Sequence, residues 1–234
     1  MSRVVVGDTV GRRIVGRETT IGALTAAMAA GHPVAVTGEA GIGKTAVLRA
    51  AAEQCGRRVF EGGGLATLGW HSYLPLTRAL RRPVPAGDHS AVAEFVRGRV
   101  RDGLLVVDDA HWADPATLAV LPLLVGEIAV AVGVRAGDAG SGLALSALSS
   151  EWLPVGVGPL DPADATRLVS GLAPALDAVT VGAIVAVSGG NPLYLEEQAL
   201  RGRSAASLRL LVAERLRACS PDARQALAAS ALLG

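Results

Sequence analysis

One stretch of the sequence constrains the fold more than any other. The apolar run Pro33–Thr37 is followed at once by Gly38–Thr45, which matches the pattern G-x-x-x-x-G-K-T, and then by a helical pattern over Lys44–Cys55. An apolar run of this kind predicts a buried strand. Strand, glycine loop and helix in this order are the context in which the pattern binds phosphate, because the loop amides turn inward and the helix N-terminus adds partial positive charge. A glycine-rich turn that matches by chance is the alternative.

Lys44 is the only lysine among the 22 basic residues of the chain. A compact ammonium reaches a terminal phosphate as a point charge, whereas the wider guanidinium fork would need a different loop. We therefore expect Lys44 to contact the β- and γ-phosphates of a nucleoside triphosphate and Thr45 to ligate Mg²⁺ through its hydroxyl. The predicted nucleotide-binding residues of the loop are Gly38, Glu39, Ala40, Gly41, Ile42, Gly43, Lys44, Thr45 and Ala46.

A second segment, Leu104–Asp109, carries two aspartates after four apolar residues, about 60 residues beyond the loop. The apolar run places Asp108 at the carboxyl end of a buried strand, which is the edge at which α/β sheets bind ligands. We expect Asp108 to hold the hydration shell of Mg²⁺ and Asp109 to orient and deprotonate the attacking water. The alternatives are a solvated turn, or Asp109 as a cap of the next helix.

Arg135 directly follows a third apolar run, Ile128–Val134. We expect this strand to lie between the loop strand and the Asp108 strand, so that Arg135 faces the γ-phosphate as a catalytic charge. An ordinary exposed arginine is the alternative in a chain so rich in arginine.

Apolar runs alternate with helical patterns up to Val157. Runs without polar alternation are typical of a parallel sheet buried on both faces, and strands that alternate with helices indicate an α/β sandwich. The predicted strands are Pro33–Thr37, Arg58–Glu61, Leu104–Val107, Ile128–Val134 and Leu153–Val157. The predicted helices are Thr20–Ala30, Lys44–Cys55, Ala91–Arg101, Pro115–Leu124 and Leu143–Ser150. The predicted loops are Gly62–Gly69 and Arg82–Asp88.

After Val157 only helical patterns remain. Asp161 is expected to cap a helix whose first residue is Pro162, and Gly189–Pro192 separates two later helices. The predicted helices cover residues 162–172, 175–188, 192–201, 205–218 and 222–232. The chain therefore divides into an α/β core, residues 1–157, and a helical part from residue 158 onward.

Composition and charge argue against several other classes. The net charge of +1 gives no general argument for binding nucleic acid or a membrane. Cys55 and Cys219 lack metal-ligand spacing and fit reduced thiols. The N-terminus has no signal-peptide pattern, and the long apolar run Leu118–Val134 is interrupted by a proline, a glycine and a glutamate. We expect a soluble, cytoplasmic protein without direct nucleic-acid binding.

Together these residues resemble the STAND class of P-loop ATPases, and within it the ATPase domain of the large LuxR-type bacterial transcription regulators. The resemblance runs through nearly the whole chain. Val15-Gly16-Arg17-Glu18 is similar to a motif that precedes the first helix of this class and lies against the nucleotide base. The resemblance thus implies that Val15, Gly16 and Arg17 bind the nucleotide.

Three further segments carry the resemblance. Leu104–Asp114 is similar to the extended Walker B segment of the family, and Arg135 falls at the position of its sensor arginine. Gly190–Glu197 is similar to the lid motif, whose proline packs on the adenine. The resemblance therefore implies that Pro192 contacts the base.

The resemblance implies a P-loop NTPase three-layer sandwich whose five-stranded parallel sheet has the order 5-1-4-3-2, followed by a helical lid. It assigns residues 1–157 to the nucleotide-binding core, 158–203 to the lid and 204–234 to the start of a winged-helix-like segment. It also implies ATP or ADP with Mg²⁺ as cofactors and a slow ATPase. The nucleotide state would set how the lid packs and so control self-association and an output domain in transcription regulation.

The sequence departs from this family in two respects. The family continues into sensor repeats and a C-terminal helix-turn-helix that these residues do not contain, and Phe60–Gly103 is short for it. We therefore expect a fragment, an excised domain or a truncated paralogue. Two other functions stay open: a switch module that binds ADP or ATP without hydrolysis, and a DNA-engaged ATPase of the origin-recognition type. A phosphoryl-transfer kinase is less favoured, because no separate acceptor-binding motif is visible.

Overall fold

The computed structural model describes residues 14–85, 87–137, 139–146, 148, 151–201 and 220. Within them the strands are β1 (Val34–Gly38), β2 (Val59–Gly63), β3 (Leu104–Asp108), β4 (Ala129–Arg135) and β5 (Leu153–Gly156). The α-helices are α1 (Glu18–Ala30), α2 (Lys44–Gln54), α3 (Leu74–Leu80), α4 (His89–Val100), α5 (Pro115–Val120), α6 (Ala139–Ser146), α7 (Pro162–Leu172), α8 (Ala178–Ser188) and α9 (Pro192–Arg201). The 3₁₀ turns Ala110–Trp112 and Leu121–Leu124 lie before and after α5.

The strands form a five-stranded sheet in the order β2-β3-β4-β1-β5, and every neighbouring pair is parallel. This is the predicted order 5-1-4-3-2 read from the opposite edge, so the predicted α/β P-loop fold is confirmed. The strand β4 lies between β1 and β3, as expected from the sequence. The carboxyl ends of these three strands therefore meet at one edge of the sheet, where α/β folds bind ligands.

Apolar residues cover both faces of the sheet. In β3, Leu104 and Val106 pack in the cluster that includes α1 and α2, whereas Leu105 and Val107 pack in the cluster that includes α4. Because successive residues of a strand point to opposite faces, a strand buried on both faces needs apolar residues at every position. This explains why the strands have no polar alternation in the sequence.

The structure differs from the sequence prediction in several helices. The predicted helix Pro115–Leu124 is divided into α5 and a 3₁₀ turn that contains Pro122. A proline lacks the backbone N–H and its ring crowds the preceding turn, so the α-helix ends before it. The helix α6 begins at Ala139, before the predicted start at Leu143.

The largest difference lies after β2. The strand continues through Gly63, although the segment from Gly62 was predicted to be a loop, and the unpredicted helix α3 follows. A Cβ on Gly62 would lie 2.0 Å from the carbonyl oxygen of Pro75, so only glycine lets α3 pack this closely on the strand. Gly62 therefore serves strand–helix packing, which a sequence pattern does not distinguish from a turn.

The helices α7, α8 and α9 form an apolar cluster of their own. Asp161 caps α7 as predicted, with its Oδ1 accepting from the Asp164 N–H at 2.8 Å. The helix α8 begins at Ala178, later than predicted, because Asp177 caps it by accepting from the Thr180 N–H at 2.8 Å. The predicted helices 205–218 and 222–232 lie outside the described residues, and the division at residues 157 and 158 stays a prediction. None of the helices in the described part of the chain is long and apolar enough to span a membrane.

Candidate functional site

The glycine loop connects the end of β1 to the start of α2. Gly41 and Gly43 adopt left-handed backbone conformations, with φ of +71° and +98°, which residues with a Cβ rarely adopt. These two turns wrap the backbone around the N-terminus of α2, where Gly43 occupies the N-cap position. Free amides at a helix N-terminus favour an anion, so the loop geometry suits a phosphate group.

Lys44 is the first residue of α2, and only 7% of it is exposed. Its Nζ donates to the carbonyl oxygens of Gly38 at 3.1 Å and Glu39 at 2.8 Å. The side chain therefore runs back across the loop and holds its positive charge inside the curve of the backbone. Contact with a phosphate stays a prediction, which this position favours.

Thr45 and Asp108 meet at the end of the sheet. The Thr45 hydroxyl donates to Asp108 Oδ2 at 2.6 Å, and Asp108 Oδ1 accepts from the Asp109 N–H at 2.9 Å. A Cβ on Gly133 of β4 would lie 2.4 Å from Asp108 Oδ1, so the carboxylate needs a glycine beneath it. Sequence reasoning missed Gly133, because a glycine inside an apolar strand carries no motif.

The donor set at this point fits Mg²⁺. A hydroxyl and a carboxylate are the hard oxygen ligands that this ion takes, and it completes its shell with waters and substrate phosphates. The part of the chain that the structure describes holds no cluster of three or more His, Cys, Asp or Glu side chains arranged around a metal. Such a cluster is not needed for an ion bound by one carboxylate, one hydroxyl and a phosphate.

Asp109 adopts a left-handed conformation with φ of +47° and makes no capping hydrogen bond. Its alternative role as a cap is thereby excluded, because Asp114 caps α5 by accepting from the Thr117 N–H at 2.9 Å. Burial raises the pKa of the Asp109 carboxyl and the Asp108 charge raises it further, against smaller opposing effects of Lys44 and Arg135. A residue held in a sparsely populated conformation, with a pKa shifted towards neutrality, is typical of a functional carboxylate.

Arg135 ends β4 beside the glycine loop. It is the register partner of Gly38, and the next N–H, that of Ala136, donates to the Gly38 carbonyl oxygen at 2.9 Å. The Arg135 N–H donates to Nδ1 of the buried His111 at 3.3 Å, which places the proton of a neutral imidazole on Nε2. Arg135 is half-buried and lowers the pKa of Asp109, so its charge acts on the site. That it faces a γ-phosphate stays a prediction.

The predicted base-contacting motif lies between the loop and the helical part. The guanidinium of Arg17 donates through Nη2 to the carbonyl oxygens of Gly158 at 2.5 Å and Ile42 at 3.4 Å. Burial lowers the pKa of Arg17, and the charge of Asp164 opposes this effect. A Cβ on Gly16 would overlap the Asp164 carboxylate, so Gly16 allows α7 to approach. Val15 lies half-buried beside it.

The predicted lid motif also reaches the loop, through residues on either side of Pro192. Asn191 Nδ2 donates to the Ala40 carbonyl oxygen at 2.9 Å, and the Leu193 N–H donates to the Gly41 carbonyl oxygen at 3.3 Å. Pro192 itself begins α9, and its contact with adenine stays a prediction. Asn191 was not among the predicted site residues, because an asparagine before a proline reads as an ordinary helix cap.

One family model matches part of the chain. Residues 13–100 match the sequence model of a family described as AAA ATPase domain. The matched region contains the Arg17 motif, the glycine loop and Lys44. No curated protein sequence matches the chain.

Several solved structures share the fold. A RuvB mutant from Thermotoga maritima has a TM-score of 0.55 at 16% identity, covering 83% of this chain and 65% of that one. A Drosophila ORC structure bound to DNA has a TM-score of 0.50 at 18% identity, covering 77% and 53%. A STAND protein from Pyrococcus horikoshii with a tetratricopeptide repeat sensor has a TM-score of 0.50 at 18% identity, covering 79% and 29%. The chain spans less than two thirds of each, and at these identities the likeness shows the fold alone.

Proposed function

We propose that this chain is a regulatory ATPase module that binds Mg-ATP, hydrolyses it slowly and uses the nucleotide state as a conformational switch. The observation that carries the proposal is the 2.6 Å hydrogen bond between the Thr45 hydroxyl and Asp108, formed beside the buried Lys44. Two segments far apart in sequence supply the phosphate-binding charge and the metal-binding oxygens at one edge of the sheet. The match of residues 13–100 to an AAA ATPase domain supports the same function.

Each residue has a definite part in the proposed reaction. The loop amides and Lys44 bind and orient the phosphate chain, and Thr45 with Asp108 would hold Mg²⁺. When bound, the ion would neutralise charge on the β- and γ-phosphate oxygens. Asp109 orients the attacking water and accepts its proton, which its raised pKa favours. Arg135 adds positive charge where negative charge develops on the transferred group.

The switch follows from where the helical part is attached. Arg17, Asn191 and Leu193 all bond to the backbone of the glycine loop or to the segment that leads into α7. A change in the phosphates can therefore bias how α7–α9 pack on the core. We assign the output to transcription regulation of the LuxR type, through self-association or downstream regulatory domains, on the motifs quoted from the sequence.

ATP binding and turnover of the wild type and of Lys44→Ala test the function. We expect Lys44→Ala to weaken ATP binding by about 100-fold or more, because a buried charge-assisted contact is lost. Arg49→Ala is the matched control, since Arg49 lies on the same helix, is about half exposed and pairs with Glu61 at 2.7 Å. Equal ATP binding by Lys44→Ala and the wild type would refute the proposal.

A switch that binds nucleotide without hydrolysis is the second candidate. The observation that favours it is the enclosure of the loop, whose carbonyls are held from outside by Arg17, Asn191 and Leu193. A loop enclosed in this way can retain ADP. Single-turnover measurements with the wild type separate the two candidates, because only the ATPase forms phosphate.

A further inference from the structure

Three successive carbonyl groups of the glycine loop are bonded by groups outside the loop. Ala40 accepts from Asn191 Nδ2 at 2.9 Å, Gly41 from the Leu193 N–H at 3.3 Å, and Ile42 from Arg17 Nη2 at 3.4 Å. Of the carbonyls before them, that of Glu39 accepts from Lys44 within the loop, and that of Gly38 accepts from Lys44 and from the Ala136 N–H. Arg17 and the start of α9 thus hold the outer side of the loop while the lysine holds the inner side.

Peptide geometry links the two sides. In a trans peptide the C=O of one residue and the N–H of the next point in opposite directions. Asn191 holds the Ala40 carbonyl outward, which turns the Gly41 N–H towards the interior of the loop. An amide in that position donates to a bound phosphate oxygen. Asn191 therefore acts on the phosphate site through the peptide group between Ala40 and Gly41.

The orientation of the Asn191 side chain is fixed by its partners. Its Oδ1 accepts from the Leu193 N–H at 3.1 Å while its Nδ2 donates to the Ala40 carbonyl. Exchanging the two atoms would set N–H against N–H and oxygen against oxygen, so only one assignment satisfies both partners. The residue is 2% exposed, and a Cβ on Gly41 would lie 2.6 Å from Leu193 Cβ. The loop and the start of α9 are therefore in direct contact.

We propose that Asn191 is a positioning residue that couples phosphate occupancy of the loop to the packing of α9. A phosphate bonded to the Gly41 N–H polarises the peptide group and makes the Ala40 carbonyl a stronger acceptor for Asn191. By linkage, a lid held by Asn191 strengthens phosphate binding to the same extent. The proposal rests on the proposed nucleotide function and deepens it: the phosphate chain acts on α9 through Asn191, in addition to the predicted contact of the base with Pro192.

Two substitutions remove the donor of Asn191. Asn191→Asp keeps the volume and the acceptor for Leu193 but removes the donor to Ala40, whereas Asn191→Ala removes both the donor and the acceptor without adding charge. With a fluorescent mant-ADP probe on the full chain, we expect affinity to fall about fivefold for Asn191→Ala and about tenfold or more for Asn191→Asp. Ser188→Ala is the matched control, because Ser188 is equally buried and its hydroxyl, the group that is removed, bonds to the backbone of Val185 and Gly190 and not to the glycine loop.

Hydrogen–deuterium exchange of α9 tests the coupling without any substitution. We expect pyrophosphate alone to slow exchange at residues 190–195 of the wild type, and both Asn191 variants to lose the pyrophosphate effect. Protection by adenosine but not by pyrophosphate overturns the proposal, as does an unchanged pyrophosphate effect in both variants. If the wild type binds mant-ADP but pyrophosphate does not protect α9, only the coupling fails. If the wild type binds no mant-ADP, the proposed function fails.

Discussion

The sheet core and the α7–α9 lid are held together in different ways. The core packs apolar helices on both faces of five strands, whereas the lid has one small apolar cluster of its own. The two regions are joined by polar bonds, notably from Arg17 to the Gly158 carbonyl and from Asn191 to the Ala40 carbonyl of the glycine loop. Apolar packing resists rearrangement, whereas a few hydrogen bonds exchange at small free-energy cost. From this difference we expect the core to act as a rigid support and α7–α9 to be the part that a ligand can bias.

The largest expected effect is a loss of ATP turnover without a loss of stability of the core. Asp109→Asn should lower ATP turnover by about 10²- to 10⁴-fold, because the general base is lost. Its melting temperature should equal or exceed that of the wild type, since the substitution removes a charge that burial disfavours. Phosphate-release kinetics and thermal unfolding check both parts. An unchanged turnover rate would remove Asp109 from the mechanism.

The raised pKa of the Asp109 carboxyl also predicts how the stability of the protein changes with pH. The folded-state pKa of Asp109 is raised, so the ionised carboxylate destabilises the folded protein. This destabilisation is absent at low pH, where the carboxyl is protonated, and it develops as pH rises from the unfolded-state pKa through the folded-state pKa. Asp109→Asn should therefore stabilise the protein relative to the wild type at neutral pH, and this advantage should vanish in acid. Urea unfolding of both proteins at a series of pH values measures this difference in stability. A difference that does not change with pH would contradict a raised pKa of Asp109.

A pair of leucine truncations tests the contrast in packing directly. Leu105 of β3 and Leu195 of α9 are both fully buried. Leu105→Ala should lower the free energy of unfolding of the core by about 3 kcal/mol through the cavity it leaves. Leu195→Ala should speed hydrogen exchange in α7–α9 and leave the core transition nearly unchanged. A shared loss of stability in both variants would show that the core and the lid unfold as one unit.

Removal of the Arg17 side chain breaks a connection between the two regions. Arg17→Ala should weaken nucleotide binding about tenfold, since a buried charged donor to Ile42 and Gly158 is lost. Titration with mant-ADP measures the effect, and Arg49→Ala serves again as the exposed control. Unaltered affinity would mean that the nucleotide site does not depend on this contact.

The smallest effect comes from matched helix caps. Asp88 and Asp161 each accept from the N–H three residues ahead at 2.8 Å, the first in the core and the second in the lid. Replacing either by alanine should cost about 1 kcal/mol. Asp88→Ala should shift the urea midpoint of the core, whereas Asp161→Ala should appear only as faster exchange in α7. The opposite pattern would mean that the boundary between the two separately unfolding regions lies elsewhere in the chain.

Much of the site could be predicted from sequence because its signals are local. The glycine loop, Lys44 and Thr45 are contiguous, and Asp108 ends an apolar run that predicts a buried strand. The strand order was predicted from the family resemblance, and the structure confirms it. The Asp109 alternatives could not be separated from sequence, because an aspartate after a strand can cap, turn or catalyse. Its left-handed backbone and the cap made by Asp114 exclude the role of a cap, and the catalytic role stays a prediction.

Other features of the site and the fold could be recognised only in the folded structure. Gly133 has no motif, yet the Asp108 carboxylate occupies the space that a Cβ there would fill. Gly62 reads as a loop residue, yet it serves the packing of α3 on β2. Asn191 reads as a helix cap and does bond Leu193, but its second bond reaches Ala40, 151 residues away in sequence. Contacts over such separations depend on how strands and helices are placed, which no short pattern records.

The sequence by itself determined the sheet-forming runs, the phosphate loop and the acidic strand end, because each depends on residues within a few positions of one another. Only the tertiary structure decided which side of that loop the lid holds. The direction of a backbone carbonyl depends on the partner that bonds it, and here the partners are an arginine before α1 and an asparagine before α9. The local motif determines what the loop can bind, and the long-range bonds determine what can respond to it.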